Sequence, residues 1–403
     1  MCVALLACSG GSGASDAGDS GDDDVQSDAS DSAVGFPAPH PALPQAVNSG
    51  GSVIASPKVV AISFQGDTLQ PDIDAFVGDL ETVPAYWSGA VSEYGVGALT
   101  QVVYHAQEAA PSGTIGDSDV QTWISNKIQN DSTFPQPDAS TIYAIFYPSG
   151  TTVALGADTT CDQLQGYHDS YPLSSSSNVI YAVIPRCPAP VQNISIADQM
   201  TAEASHEIIE AATDPLPSLK PAYLDVDGND HAWEVFGGEI GDLCAGFPDS
   251  FYTPTGFAHL VQRVWSNASA AASHDPCEPM GNSPYFNSAP VVSDTIHVAV
   301  GASLLPTMGV KLAVGASTTI PVDCFSDGPT SGPWKITMYD ITADFYGEAA
   351  ALDLSLDQDT CQNGDVVNLT IKLLRAVTGG APFWIQSDLG NASSVWLGSV
   401  GSN

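Results

Sequence analysis

The chain has 403 residues, 43% of them hydrophobic, which is long enough for two folded domains and apolar enough to bury a sizeable core. Its 46 acidic residues against 9 basic ones give a formal net charge of -37. A surface so negative repels phosphate backbones, which argues against nucleic acid as a partner and in favour of cationic partners, divalent metal or a solvated acidic coat.

The first residues read Met1-Cys2-Val3-Ala4-Leu5-Leu6-Ala7-Cys8-Ser9. The run from Leu5 to Cys8 resembles the lipobox of bacterial lipoproteins, in which a leader is cut before a cysteine that then receives lipid. On this reading residues 1–8 are a signal remnant, Cys8 carries a membrane anchor, and the true start lies upstream of Met1, since no basic n-region precedes the short apolar stretch. Ser9 after Cys8 favours the outer membrane. Residues 9–51, dominated at first by Gly, Ser, Ala and Asp, form a disordered acidic tether, because such a composition cannot bury enough apolar surface to offset its ordering entropy.

The globular part begins near residue 52. Residues 58–64 form a buried strand, 71–91 carry helical spacing, 100–104 form a short strand, and 117–128 form a helix with Val120, Trp123, Ile124 and Ile128 on one face. Residues 141–147 (TIYAIFY) and 179–184 (VIYAVI) are two further buried strands, so residues 52–281 read as a mixed α/β (α+β) domain. A helix over 196–213 follows, then a loop-rich stretch to Cys277. From 290 to 403 the helical period disappears. Short strands near 318–322, 334–339, 366–373 and 383–386 predict an all-β immunoglobulin-like sandwich.

Apart from Cys2 and Cys8 there are six cysteines, Cys161, Cys187, Cys244, Cys277, Cys324 and Cys361, and no C-x-x-C pair. They suit an oxidising, extracytoplasmic setting rather than a zinc ribbon. Of the fifteen pairings open to six cysteines, near-neighbour pairing is the simplest: Cys161 with Cys187, Cys244 with Cys277, Cys324 with Cys361.

The 196–213 helix carries the chemistry. Ser195 and Asp198 make a capping box and Pro215 ends the run. His206 and Glu210 stand four residues apart on one helical face, with Glu207 beside them, so the segment is an H-E-x-x-E variant of the H-E-x-x-H zinc helix. In that scheme His206 and Glu210 ligate zinc and Glu207 takes a proton from water. Glu239 is the expected third ligand, and Asp242 an outer support for the His206 imidazole. Asp214 is either a rival ligand or a helix-end residue bonding local backbone. His168 is either a hydrogen-bond donor to a substrate oxyanion or an ordinary half-buried histidine. Trp233 and Trp265 read as core aromatics. The Asp225–Asp230 run is either a calcium loop or a polar turn. There is no G-x-S-x-G and no phosphate-binding glycine loop.

The order of blocks is more specific than any one of them. Cys161 and Gly166-Tyr167-His168 precede Cys187-Pro188. Then come His206-Glu207-x-x-Glu210, Ala232-Trp233, Glu239-Ile240-Gly241-Asp242-Leu243-Cys244 and Val261-Gln262-x-x-Trp265. Over residues 55–280 this order resembles the plant EXORDIUM, or phosphate-induced protein, family and its bacterial secreted relatives. The resemblance implies an extracellular protein with a zincin-like domain, and it implies no settled activity. Two functions follow as expectations. One is a zinc-dependent hydrolase, a metallopeptidase acting on protein or peptide substrates at the cell surface. The other is a surface binding or adhesion protein with structural metal and a cell-surface ligand.

Overall fold

The computed structural model describes residues 35–187 and 194–402, so Cys8 and most of the expected tether lie outside the described residues. The first assembly is a five-stranded sheet of β1 (Lys58–Ser63), β2 (Thr100–His105), β3 (Thr141–Tyr147), β4 (Tyr167–Ser174) and β5 (Ser177–Pro185), in the order β2-β1-β3-β5-β4. All pairings are parallel except that of the edge strand β4 with β5. β3 is buried along its whole length, which is why it reads as an unbroken apolar run: a central parallel strand is covered on both faces.

Alternate residues of these strands feed two cores. Val59, Ala61, Ile142, Ala144 and Ile184 face α1 (Gln70–Thr82), α2 (Pro84–Val91) and α4 (Ile196–Thr213). Val60, Ile62, Tyr143, Ile145 and Val183 face α3 (Asp117–Asn130) through Val120 and Ile124. The single helix expected over 71–91 is two helices. Pro84 holds Val83 out of helical geometry, at φ -114° and ψ 72°.

Ser195 caps α4 by accepting from the Asp198 N–H at 3.0 Å, while its own hydroxyl donates to the Asp198 carboxylate at 2.7 Å. At the other end the Asp214 N–H closes on the Glu210 carbonyl just before Pro215. Nearly every residue from Met200 to Thr213 is buried, so α4 runs through the body of the protein.

The second assembly is a two-sheet sandwich. One sheet contains β6 (Phe286–Pro290), β9 (Ser317–Ser326), β13 (Val366–Leu373) and β11 (Leu352–Leu356), in that order. The other runs β7 (Asp294–Val300), β8 (Ser303–Lys311), β15 (Ala392–Gly401), β14 (Ala381–Leu389), β10 (Trp334–Asp340) and β12 (Thr360–Cys361). The all-β unit therefore starts at Phe286 rather than 290. Cys324 on β9 and Cys361 on β12 join the sheets beside buried Trp334, whose indole N–H donates to Ser288 Oγ at 3.0 Å. Rings join the two assemblies: Trp233 packs on Trp265 and Trp396, and Trp384 on Phe236 and Phe247. Trp233 and Trp265 are core residues.

The tether expected as far as residue 51 gives way to packed chain from residue 35. Ala38, Leu43 and Ala46 are buried, and Ala46–Val47 pairs antiparallel with Asp225–Val226. The apolar residues among these prolines are what allow the segment to dock. Its backbone is satisfied by Asn267 and Asn363 side chains and by the 221–227 loop.

All three near-neighbour disulfides are formed, as suits an exported, extracellular protein. Among the described residues no helix is long and apolar enough to cross a membrane. Cys244–Cys277 closes a separation of 33 residues and anchors the chain two residues beyond Asp242. Replacing both cysteines with serine is expected to cost about 3–4 kcal/mol, read as a lower thermal midpoint by circular dichroism; an unchanged midpoint would contradict this role.

Candidate metal centre

Three elements converge beside α4. The helix supplies His206, Glu207 and Glu210, which are 1%, 1% and 2% exposed. The loop that follows residue 236 brings Glu239 and Asp242, and the edge strand β4 brings His168, all buried. The loop can approach so closely because of its glycines. A Cβ on Gly241 would stand 2.6 Å from Glu210 Oε1 and 2.9 Å from His206 Nδ1, and one on Gly237, at φ +133°, would overlap the Asp242 carboxylate. With no side chain in the way, the Asp242 N–H donates to Glu210 Oε1 at 3.2 Å. Gly241→Val is expected to displace Glu210 and lower the thermal midpoint, since the added side chain has no room beside Glu210 and His206. A wild-type midpoint by circular dichroism would refute it.

Two groups of ligand atoms lie within 4.8 Å of one another, His168–Glu210–Glu239 and His206–Glu207–Glu210, and Glu210 belongs to both. His168 Nε2 donates to the Asp214 carbonyl at 3.0 Å and lies 3.4 Å from Glu239 Oε1. Its Nδ1 then faces Glu207 Oε2 at 3.5 Å and Glu210 Oε2 at 3.7 Å. A ring nitrogen fixed by a backbone carbonyl, with the other turned toward carboxylates, is the arrangement of a ligating histidine.

His206 sits deeper. Its Nε2 is 3.0 Å from Glu210 Oε2 and 3.6 Å from Asp242 Oδ1, and its Nδ1 meets Gln262 Oε1 at 3.1 Å. Gln262 is itself held by donating to the Gly241 carbonyl at 2.8 Å. A cleft of about 250 Å³ opens on His168, Glu207, Glu210 and Glu239, flanked by Tyr167 and Leu224, and His206 does not line it.

The expected set thus rearranges. Glu210 and Glu239 do come together, but the histidine between them is His168 rather than His206. Asp242 reaches His206 as an outer support. Asp214 serves local backbone: its Oδ1 accepts from the Ala222 N–H at 2.7 Å. The Asp225–Asp230 run closes a turn through the Asp230 N–H and the Asp227 carbonyl. Burial and neighbouring Asp227 push the Asp230 carboxyl up to about 8. Among the described residues the groups of three or more metal-ligating side chains are the two at α4, and neither includes this turn. Gln262 and Glu203 were not singled out from sequence. Glu203 precedes Glu207 by one helical turn, and that spacing was the available signal.

The electrostatics are those of a dry acidic pocket. Burial pushes the carboxyls of Glu239 and Glu203 well above the usual range. Burial would do the same to Glu210, but His206 beside it holds it below. Burial would lower His168, yet Glu239, Glu207 and Glu210 outweigh it and raise the imidazole to about 10. The carboxyls of Glu207 and Glu239 are buried on either side of the His168 ring, Glu207 Oε2 at 3.5 Å from Nδ1 and Glu239 Oε1 at 3.4 Å from Nε2. Buried charges are stable when paired or when they coordinate metal, so His168 with Glu210 and Glu239, whose ligand atoms lie within 4.8 Å of one another, could hold a divalent cation.

A second constellation, Ser63 Oγ at 2.9 Å from His105 Nδ1 with Asp74 at 3.4 Å from Nε2, lies at the ends of β1 and β2. Ser63 is 1% exposed, so its hydroxyl is closed to a substrate.

No protein-family model matches the chain, and no curated protein matches it. Among solved structures, a chimeric titin Z1Z2 functionalized with an exogenous decorin peptide is 8% identical, over 30% of this chain and 97% of that one, with a TM-score of 0.18. A titin M10–obscurin-like 1 Ig complex is 13% identical over 29% and 96%, at 0.17. The twitchin kinase region of C. elegans is 10% identical over 29% and 16%, also at 0.17.

Proposed function

We propose that this chain is a zinc-dependent hydrolase of the zincin type, a peptidase working outside the cytoplasm and held at a membrane surface by lipid on Cys8. The observation that carries the reading is Glu207. It is a buried carboxylate on the wall of a cleft, 3.5 Å from His168 Nδ1 and one helical turn from the buried carboxyl of Glu203. A purely structural metal site has no need of such a group, and for this reason hydrolysis is preferred over a surface-binding role.

His168, Glu210 and Glu239 would hold the ion. When bound, zinc polarises a scissile carbonyl and makes water a stronger acid. The protein's own residues do the rest. Glu207 accepts a proton from water in the cleft and passes it to the leaving amine. Asp214 fixes the His168 ring through its carbonyl, and His206, gripped by Gln262 and Asp242, holds Glu210 in place. Burial keeps competing water away from these groups, so their charges act at full strength.

Purified protein is expected to cleave an unstructured protein such as casein, to lose that activity on chelation and to regain it with added zinc. Cleavage indifferent to chelator, or metal analysis with no zinc above background in protein never exposed to chelator, would remove the reading.

A further inference from the structure

Beside the metal cleft lies a larger cavity of about 660 Å³, built half by the α/β assembly and half by the sandwich. Leu224, Phe236 and Gly238 form one side, and Val300, Leu305 and Tyr346 the other. Leu224 also lines the metal cleft, and Gly238 immediately precedes Glu239, so the two spaces share a wall. That wall is thin by construction. A Cβ on Gly238 would collide with the Leu224 carbonyl and come within 3.2 Å of the Glu234 carboxyl carbon, and only glycine lets the backbone pass there.

The lining has two chemical characters. The sandwich contributes apolar surface that solvent still reaches, with Tyr346 41% exposed and Val300 and Leu305 of the β7–β8 hairpin half-buried. At its edge stands the half-buried carboxylate of Asp225, Glu234 being buried beneath it on the Val226 N–H and the His231 ring, and no lysine or arginine lines the space. A chain with a net charge of -37 adds a long-range attraction for cations. An apolar recess of this size, with Asp225 at its edge on a strongly acidic protein, suits one kind of occupant, an apolar side chain on a cationic peptide.

We infer that the β7–β8 hairpin and Tyr346 of the sandwich complete the substrate site, receiving an apolar side chain of a lysine- or arginine-bearing peptide whose backbone continues into the metal cleft. The inference rests on the hydrolase reading for its meaning, but peptide binding tests it without turnover. It gives the sandwich a task that the α/β assembly cannot perform alone.

The experiment uses the full chain, treated with chelator, and a short labelled peptide with one phenylalanine between lysines, followed by fluorescence anisotropy. Replacing the phenylalanine with alanine is expected to weaken binding at least tenfold, since burying a large apolar side chain is worth that or more. Replacing the lysines with glutamates is expected to abolish binding. Ser303→Trp, at an exposed position lining the recess, is expected to weaken the phenylalanine peptide about tenfold and leave zinc content unchanged; Leu305→Ala should act in the same direction. Equal affinity for the phenylalanine and alanine peptides, or a Ser303→Trp protein that binds like wild type, would overturn the proposal. Because no arm needs zinc or cleavage, an inactive protein that still shows this binding pattern would sink the hydrolase reading and leave the recess standing.

Discussion

Glu207→Gln is expected to keep its zinc and to lose peptide hydrolysis by a factor of roughly 10²–10⁴, the usual contribution of a positioned general base. Glutamine preserves the size of a side chain packed at 1% exposure, so the helix should not move. It removes the negative charge and the ability to take a proton, while the three proposed ligands stay in place. Metal analysis and steady-state kinetics on the same preparation separate the two effects. Full activity in the variant would show that Glu207 is not the base. Loss of zinc together with activity would show that Glu207 is itself a ligand, as the second group of side chains around Glu210 would allow.

The second large effect concerns Glu210, which both groups share. Glu210→Ala is expected to reduce bound zinc from about one per chain to near zero. It should also lower the thermal midpoint of the metal-free protein, because it leaves a cavity in a buried helix and removes the carboxylate 3.0 Å from His206 Nε2. The two histidines then decide the ligand set. His168→Ala should lose zinc almost as completely as Glu210→Ala. His206→Ala should retain it with an affinity about 10–100-fold weaker, the effect of losing a group that orients a ligand. The reverse order would move the ion to the deeper side of Glu210.

Much of this was legible in the residues themselves. The central strands could be read because a doubly covered parallel strand is apolar throughout, as in 141–147. Helix α4 announced itself by the Ser195 cap, the Pro215 stop and the spacing of His206, Glu207 and Glu210. Near-neighbour cysteine pairing followed from its simplicity, and four of the sandwich strands followed from short runs without a helical period, set between turns.

What escaped was non-local. The strand that carries His168, Tyr167–Ser174, contains Asp169, Ser170 and Pro172 and pairs on one side only, so it lacks the apolar run of its neighbours. Without that strand His168 could not be set opposite Glu210 and Glu239, and the histidine nearer in sequence took its place. The docking of residues 35–51 was hidden for a similar reason. Its few buried apolar residues, Ala38, Leu43 and Ala46, follow no helix or strand period, and the partners that hold its backbone, Asn363 and Asn267, are more than two hundred residues away.

X-ray absorption at the zinc edge, on protein loaded with one equivalent of zinc, tests the central claim most directly. The account predicts one imidazole nitrogen and at least two carboxylate oxygens at about 2.0–2.2 Å, with the nitrogen contribution lost in His168→Ala and kept in His206→Ala. A shell of water oxygens alone, or an imidazole signal that persists without His168 and vanishes without His206, would contradict it.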